Sequence, residues 1–338
     1  MVLFRNLRFF LFVICTFLIQ QITSQVISGA VYDSKSSEPI IGADVYLDGS
    51  SMGTITDLEG KFRLNSEYKT NIPLVIRYLG YQTKKIPYPF PDTLSISLEE
   101  SVESLNEVVV IGNNIFTREQ KLKVFKEELL GDIGAAKRCK ILNEDDIRMY
   151  FNTTYNTLEA FSSRPIIILN DYLKYEIEFE LTEFKIYFKS RSLDRLGNIK
   201  YTSIIGTTFF KDLGANTSVL EKRKRSYLGS VLHFMRTCIS RSWKEEGYKI
   251  KNSYGKKVAP ESVLNLNSSE YPMRLKLFDK ITVIHKGRKT IMNTTDGDVI
   301  LLDYLGNYSL GGNLALAGYM SYLRMGNLLP LDFFPEAG

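Results

Sequence analysis

The sequence predicts a β-sandwich of seven short antiparallel strands, followed by an α+β domain with one long helix. Three observations lead to this fold class. Short apolar segments that end in turn-forming residues fill residues 26–98. An apolar pattern with helical spacing runs from about Ser218 to Glu246, and shorter strand patterns surround it. We therefore expect a sandwich over 26–98, a linker over 99–116 and an α+β domain over 117–338.

The first 25 residues have the pattern of a signal peptide. Arg5 and Arg8 supply a positively charged start, and Phe9 to Ile19 is an apolar run that is short for a membrane span. An uncleaved membrane anchor is the alternative. We therefore expect an exported protein.

Charge and composition limit the classes of partner and cofactor. The formal net charge of +5 falls to +3 if Arg5 and Arg8 are removed, and this mild charge does not favour nucleic acid as a partner. The chain has two histidines, and its cysteines beyond the signal peptide are Cys139 and Cys238. We expect no metal site built from Cys and His and no cofactor, although a site built from carboxylates alone stays open. The sequence also leaves open whether the two thiols form a disulfide.

Within residues 26–98, strand patterns alternate with turns. Phe62 and Leu64 should point inward after a tight turn in which Gly60 is free to adopt a positive φ. Residues 94–98 alternate strictly between apolar and polar side chains, which predicts a closing strand with one buried face.

Two helical segments are expected near the start of the second domain. Thr117 and Gln120 fit the capping box of a helix that continues to Leu130 and ends at Gly131. Residues 157–162 fit a single helical turn.

The remaining pattern combines strands with the long helix, which should end at Gly247. Residues 164–170 read as a buried strand, and residues 175–181 as a strand with one solvated face. A hairpin is expected around Gly287, and the apolar tail 328–335 should pack back on the domain.

Residues 26–98 resemble the carboxypeptidase-regulatory-like (transthyretin-like) domain at the front of outer-membrane receptors of the TonB-dependent type. The runs Ile40 to Ala43 and Thr56 to Phe62 carry this resemblance. Leu105 to Gly112 is also similar to the sequence that follows this domain in those receptors. We expect neither the plug nor the barrel of a receptor here, so the resemblance does not imply transport.

A second resemblance covers the later part of the chain. Arg223 to Arg236 is similar to an Arg…Tyr-x-Gly-Ser-x-x-His-Phe-x-Arg segment of the carboxypeptidase-like regulatory domain-containing proteins of Gram-negative envelopes. Cys139 to Asn143 and Leu329 to Leu331 also resemble that family, whereas Lys174 stands where a glycine would be expected. This resemblance implies an architecture and an envelope location, in the periplasm or associated with the outer membrane, and it implies no reaction.

Ser230 and His233 are the candidate catalytic residues, since they stand three residues apart on one face of the predicted helix. A hydrolase would use Ser230 as nucleophile and His233 as base, with Asp171 or Asp303 orienting the ring. No nucleophile elbow surrounds Ser230. We therefore expect structural roles: close helix packing at Gly229 and Ser230 and a buried carbonyl as the partner of His233.

Zinc carboxypeptidases carry a similar sandwich behind a catalytic domain that contains a His-x-x-Glu motif. Neither His233 nor His285 is followed by a glutamate three residues later. Zinc carboxypeptidase activity is therefore not expected.

Arg223, Lys224, Arg225 and Arg236 are candidates for a positively charged surface on the predicted helix. Such a surface could contact lipopolysaccharide or anionic lipid, which would allow peripheral contact with a membrane. The alternative is an ordinary solvated helix face.

These observations lead to a functional hypothesis. We expect a non-enzymatic envelope protein that acts as an interaction or assembly module, with an outer-membrane protein or a surface glycan as partner. The alternative is an envelope hydrolase or a glycan-binding protein that uses the second domain.

Overall fold

Strands make up most of the regular secondary structure, and three α-helices occur within the described residues. The structure is a computed structural model that describes residues 25–66, 70–101, 115–269, 271–294, 299–310 and 314–335. The expected signal peptide, apart from its last residue, and the receptor-like run Leu105 to Gly112 lie outside the described residues.

The described residues between 25 and 98 contain strands that form two sheets. The strands are β1 (Gln25–Asp33), β2 (Asp44–Leu47), β3 (Gly53–Ile55), β4 (Lys61–Ser66), β5 (Leu74–Arg77), β6 (Lys84–Ile86) and β7 (Leu94–Leu98). One sheet has the order β4-β1-β7 and the other β3-β2-β5-β6. The pairing of β1 with β7 is parallel, so the expectation of antiparallel strands throughout is wrong here. Parallel pairing is feasible because the intervening chain crosses over through the other sheet.

The two sheets of this first domain share one apolar core. Phe62 and Leu64 are buried on β4, as their alternation predicts, and β7 shows the same alternation of buried and exposed residues. The expected positive φ of Gly60 is confirmed at +72°. A Cβ atom there would lie 2.6 Å from the carbonyl oxygen of Val31, so the turn also needs glycine for space.

The expected first helix of the second part is confirmed as α1 (Arg118–Leu130). Thr117 and Gln120 form the predicted capping box, and Gly131 follows the last turn. Phe125 and Leu129 are buried in the core of the neighbouring sheet.

A six-stranded sheet packs against α1. Its strands are β8 (Cys139–Ile141), β9 (Ile147–Asn152), β10 (Thr157–Ser162), β11 (Ile166–Asn170), β12 (Tyr175–Phe188) and β13 (Ile199–Asp212). β10 and β11 pair with the two halves of one edge of β12, and β13 pairs along its other edge.

The helical turn expected at residues 157–162 is wrong, because this segment is strand β10. It pairs with β9 and β12, and Leu158 and Ala160 are buried between them. Pairing on both edges therefore overrides the local pattern. β13 was not expected from the sequence, since its threonines and serine interrupt the apolar alternation.

The single long helix expected between Ser218 and Glu246 is also wrong. The segment contains two helices, α2 (Thr217–Tyr227) and α3 (Val231–Ser240). Gly229 breaks the segment with a φ of +82°, and Ser230 caps the second helix. The expected end at Gly247 is also wrong: α3 ends at Ser240, and Arg241 caps it in a left-handed conformation.

The last part of the chain forms a five-stranded sheet, β15-β14-β18-β19-β22, and a four-stranded sheet, β16-β17-β20-β21. The strands are β14 (Tyr248–Lys251), β15 (Lys257–Val258), β16 (Leu264–Asn267), β17 (Met273–Leu277), β18 (Ile281–His285), β19 (Arg288–Thr294), β20 (Val299–Leu302), β21 (Tyr308–Leu310) and β22 (Leu314–Gly318). The expected hairpin around Gly287 is confirmed by the pairing of β18 with β19. Phe234 and Met235 of α3 belong to the core of this part.

The expected packing of the apolar tail is confirmed, and the tail also reaches the first domain. Phe333 packs against the core of the six-stranded sheet, and Leu331 packs against the core of the first domain. The Leu331 amide donates to the Gly49 carbonyl at 2.8 Å. The tail therefore joins two cores that are distant in sequence.

Candidate functional site

The side chains of Ser230 and His233 do not face each other as nucleophile and base. Ser230 Oγ accepts a hydrogen bond from the His233 main-chain N–H at 3.1 Å, which is an N-cap contact. The His233 ring has other partners. Its Nδ1 accepts from the Gly229 N–H and the Tyr248 hydroxyl, both at 2.9 Å, and its Nε2 lies 2.8 Å from Glu246 Oε2.

These contacts fix the tautomer of the ring. A main-chain N–H can only donate, so the Gly229 contact leaves Nδ1 of His233 unprotonated, and the proton lies on Nε2 and is donated to Glu246. The expected partner was a buried carbonyl, so that expectation is wrong. Asp171 and Asp303 do not orient the ring either, since Asp171 pairs with Arg138 and Lys174 and Asp303 lies elsewhere.

His285 lies beside this ring, and sequence reasoning gave it no role. The ring centroids of His233 and His285 are 5.4 Å apart, and Tyr248 packs against both. His285 is buried, and neither of its ring nitrogens makes a hydrogen bond within the described part of the chain. The β-pairing of Tyr248 with His285 brings His285 next to His233, and no local sequence pattern predicts this contact.

Both imidazoles in this histidine cluster (His233, Glu246, Tyr248 and His285) favour the neutral form. Burial lowers the pKa of His233, although the Glu246 carboxylate opposes that change. Burial and then the neighbouring His233 lower the pKa of His285 to about 4, and the nearby main chain of Glu246 counters this slightly. No group of three His, Cys, Asp or Glu side chains in the described ranges is placed to hold a metal ion.

The four residues of the expected positively charged surface do not form one surface, because Arg223 and Arg236 bind other groups within the structure. Arg223 is buried and donates to both oxygens of Asp212 at 2.8 Å, while its guanidinium group lies 3.8 Å from the Tyr175 ring centroid. Arg223 also donates to the carbonyls of Leu173 and Lys174. This arginine therefore holds α2 on the ends of β12 and β13.

Arg236 has a second internal role. It donates to the carbonyl oxygens of Leu305, Leu331 and Phe333 at 2.8 to 2.9 Å. Its guanidinium group also lies 3.9 Å from the Phe334 ring centroid. Arg236 thereby clamps the C-terminal tail to α3, and of the four basic candidates Arg225 is the exposed one, while Lys224 is partly buried.

A groove of about 380 Å³ lies where the first domain, α2 and the tail meet. Two of the basic candidates, Arg223 and Lys224, line it. Aromatic and carboxylate side chains contribute most of the remaining wall: Tyr175, Phe333, Phe334, Asp212, Glu221 and Asp332. Phe334 and Glu221 are exposed members of this set, and they offer a ring and hydrogen-bond acceptors to a ligand.

The first domain is fixed to the six-stranded sheet through the loop at residues 48–51. The Gly49 N–H donates to Thr208 O at 2.7 Å, and the Phe210 N–H donates to Ser50 O at 3.0 Å. Asp48 accepts from the Thr208 N–H at 2.8 Å. These bonds continue the hydrogen bonding of β13 into the first domain.

Charged contacts support the same junction. Arg77 of β5 pairs with Asp44 at 2.8 Å and also with Glu178 of β12. Burial opposes the charged form of Glu178, but hydrogen bonds from Lys211 and Arg77 outweigh it and lower the pKa of this carboxyl. Because each partner is largely enclosed, we expect the pair to fix orientation more than to stabilise the fold.

A buried acid completes the junction on the other side. Asp303 is fully buried and accepts from the Thr70 hydroxyl at 2.6 Å and from the Leu305 and Asn307 amides at 2.9 Å. Burial raises the pKa of Asp303. The first domain is thus attached to both later parts of the chain.

The two cysteines beyond residue 25 are free thiols in the structure. Burial raises the pKa of Cys139 to about 12, and burial also raises the pKa of Cys238 well above its ordinary value. Neither thiol has the low pKa of a reactive cysteine. The question that the sequence left open is therefore answered in favour of two separate thiols.

Comparison with known proteins adds a family for the first domain. Residues 27–110 match the CarboxypepD_reg-like domain. TonB-dependent receptor SusC from Bacteroides thetaiotaomicron is 36% identical over 118 residues, which are 35% of this chain and 10% of the receptor. TonB-dependent receptor P39 from Formosa agariphila is 32% identical over 97 residues, which are 29% of this chain and 8% of the receptor.

The matched region is a small part of these relatives, since the chain spans about a tenth of their length or less. Among solved structures, a type II cohesin–X-dockerin complex from Acetivibrio cellulolyticus covers 33% of this chain and 79% of its own, with a TM-score of 0.21 and 16% identity, a likeness too slight to bear on function. No helix of the described residues is both long and apolar enough for a membrane crossing. The chain therefore carries, over residues 27–110, a CarboxypepD_reg-like domain that is similar to the corresponding region of TonB-dependent receptors.

Proposed function

We propose that this chain is a non-enzymatic exported protein of the bacterial envelope that acts as an interaction or assembly module. Its similarity to the TonB-dependent receptors supports an outer-membrane protein as the partner. In finer detail, we propose that the first domain is a transthyretin-like β-sandwich, because its two sheets enclose one apolar core. The protein would then work in the periplasm or at the outer membrane.

The observation that carries this proposal is the way the first domain is held. Its loop at residues 48–51 is bound by β13 and by the tail. Hydrogen bonds and the Arg77–Glu178 pair fix the domain in one orientation. A fixed domain with one open end is suited to present a surface to a partner, since little ordering is needed on binding.

The open end of the first domain contains a cleft of about 490 Å³. Ile41, Tyr78 and Tyr81 line it, and Asp33 accepts from the Tyr81 hydroxyl at 2.8 Å. Hydrogen bonds, first from the Ser36 main chain, lower the pKa of Asp33 to about 2. Leu79 in the adjacent turn is 85% exposed. Apolar side chains beside ordered polar groups are typical of a protein-binding surface.

The test is crosslinking in intact cells, followed by affinity recovery of a tagged copy from the membrane fraction. We expect recovery of an outer-membrane protein, and we expect Leu79→Asp to abolish it. The matched control is Leu196→Asp, because Leu196 is 98% exposed on a loop of the six-stranded sheet. Recovery of the protein alone from the soluble periplasm, or equal loss in both variants, would contradict the proposed role of the first domain.

A glycan-binding role is the second candidate, and the groove beside α2 favours it. Phe334 offers an exposed ring, and Glu221 offers exposed acceptors for sugar hydroxyls. A glycan array that binds the purified protein and loses the signal with Phe334→Ala would favour this role. Retention of the signal in Phe334→Ala would exclude the groove as the site.

The hydrolase alternative has a sharp test because Ser230 caps α3 through its side chain. Ser230→Asp keeps a capping oxygen but removes the hydroxyl nucleophile. We expect no turnover of envelope polymers by the purified protein. Turnover that disappears in Ser230→Asp while the variant stays folded would overturn the non-enzymatic proposal.

A further inference from the structure

Positive charge is concentrated on one face of the five-stranded sheet β15-β14-β18-β19-β22. Buried and more exposed side chains alternate along β14, β18 and β19, so one face packs on the core and the other is the outer face. Residues that are directly opposite in the register share a face. The register therefore places four lysines and two isoleucines together on the outer face, here called the lysine face: Lys249, Lys251, Lys257, Lys289, Ile284 and Ile291.

No acidic side chain of these strands offsets the positive charge. The five strands, within the bounds that the structure gives them, contain no aspartate and no glutamate. In the described ranges, the lysines that form ion pairs all lie outside the lysine face. The charges of this face are therefore free to meet an external anion.

One contact within the lysine face is unfavourable for the isolated protein. Lys251 and Lys257 lie directly opposite each other in the pairing of β14 with β15. Like charges in this position destabilise a sheet. An anionic partner would remove the repulsion, so charge complementarity identifies the chemistry of the partner.

The shape of the lysine face favours an extended anionic surface as the partner. Its residues do not line either of the two clefts described above, and they stand on the open side of a sheet. Ile284 lies between Lys249 and Lys289 in one row across three strands, and Ile291 belongs to the next row and is 42% exposed. Cationic side chains around apolar ones are typical of a protein surface that rests on a membrane interface.

We propose that the lysine face binds the surface of a bilayer that contains anionic phospholipid. The ammonium groups would contact lipid phosphates, while Ile284 and Ile291 would contact the boundary between headgroups and acyl chains. Basic residues near such a surface contribute favourable energies that add up, so four lysines can hold a protein there without a membrane-spanning segment. The contact goes beyond the partner proposed for the first domain, because it needs no other protein.

Cosedimentation of the purified protein with vesicles tests this proposal. One set of vesicles contains phosphatidylcholine alone, and the other contains phosphatidylglycerol as about a third of the lipid. The test variant carries Lys→Gln at the four lysines of the lysine face. The matched control removes the same amount of charge from exposed positions elsewhere: Lys61→Gln, Lys123→Gln, Lys140→Gln and Lys200→Gln.

We expect binding to the anionic vesicles, at least about 100-fold weaker binding of the test variant, and a change of less than about fivefold in the control. Equal binding to both kinds of vesicle would overturn the proposal, and so would equal loss in both variants. Binding of the unmodified protein should also weaken as the ionic strength is raised above about 0.15 M. Binding that does not depend on salt would overturn the proposal without any variant.

A soluble polyanion separates a bilayer from other anionic partners. Ile291→Ser should weaken binding to the anionic vesicles severalfold and leave any binding to dextran sulfate unchanged, because only the bilayer offers an apolar boundary. Binding to dextran sulfate without binding to vesicles would overturn the bilayer as the partner. Thermal unfolding should show that the test variant is at least as stable as the unmodified protein, because the opposed charges of Lys251 and Lys257 are gone.

Discussion

Gly229 and His285 approach so closely that a Cβ atom on residue 229 would lie 2.6 Å from Nδ1 of the imidazole. Gly229 also has a φ of +82°, a backbone conformation that residues other than glycine rarely adopt. The break between α2 and α3 is therefore required by a neighbour that lies 56 residues later in the sequence. It directs the Gly229 N–H to His233 and places Ser230 as the cap of α3.

Gly229→Ala should lower the free energy of unfolding by about 2–4 kcal/mol, because backbone strain adds to the contact with His285. Gly247→Ala is the matched control. Its φ is +72°, but nothing lies within 4 Å of its added Cβ atom. Denaturant unfolding should show a loss of only about 1 kcal/mol there. Equal losses in both variants would show that contact with His285 has no energetic effect.

Stability should decrease in acid through His285. Its pKa is about 6.5 when unfolded and about 4 when folded, so the unfolded state binds more protons between these values. The contribution is complete above pH 6.5 and is lost as the pH falls through 4. His285→Phe should reduce the loss of unfolding free energy between pH 7.5 and 4.5 by roughly 2 kcal/mol. An unchanged pH dependence in both His285→Phe and His285→Gln would contradict this assignment.

Lys174 occupies a left-handed conformation with a φ of +56°. Glycine was expected at this position from the family resemblance. The left-handed backbone conformation explains why glycine would suit it. Lys174→Gly should raise the free energy of unfolding by about 0.5–1 kcal/mol. Lys249→Gly, at an exposed position of β14, should instead lower it. Thermal unfolding of the two variants would check the opposite signs.

Arg236 should control the tail. In Arg236→Lys, one ammonium nitrogen replaces the three guanidinium nitrogens that each donate to a different carbonyl oxygen. The free energy of unfolding should therefore fall by about 1–3 kcal/mol. The Leu331 amide, which bonds to Gly49, should also exchange its hydrogen faster. Arg225→Lys, on the exposed face of α2, should change neither quantity. Unchanged exchange at Leu331 in Arg236→Lys would disprove the clamp.

Features that depend on neighbours along the chain could be predicted from the sequence. The capping box of Thr117 and Gln120, the turn at Gly60 and the hairpin around Gly287 each involve residues a few positions apart. Their conformations follow from local hydrogen bonds and from the allowed values of φ.

Features that depend on residues distant in the sequence could not be predicted from the sequence. Residues 157–162 became a strand because two other strands pair with them, and the pattern of the expected long helix gave no sign that His285 would occupy the space beside Gly229. The candidate pair Ser230 and His233 was correctly placed in sequence, but Glu246 and Tyr248 determine what the ring does.

The sequence by itself determined the first domain, expected at residues 26–98, the helix after Thr117 and the alternating strands, because these follow from local composition and period. Only the tertiary structure decided the parallel pairing of β1 with β7, the division of the helix at Gly229 and the internal roles of Arg223 and Arg236. The reason is physical: a buried guanidinium or imidazole takes its partners from whichever main-chain and side-chain groups the packed elements bring within about 3 Å.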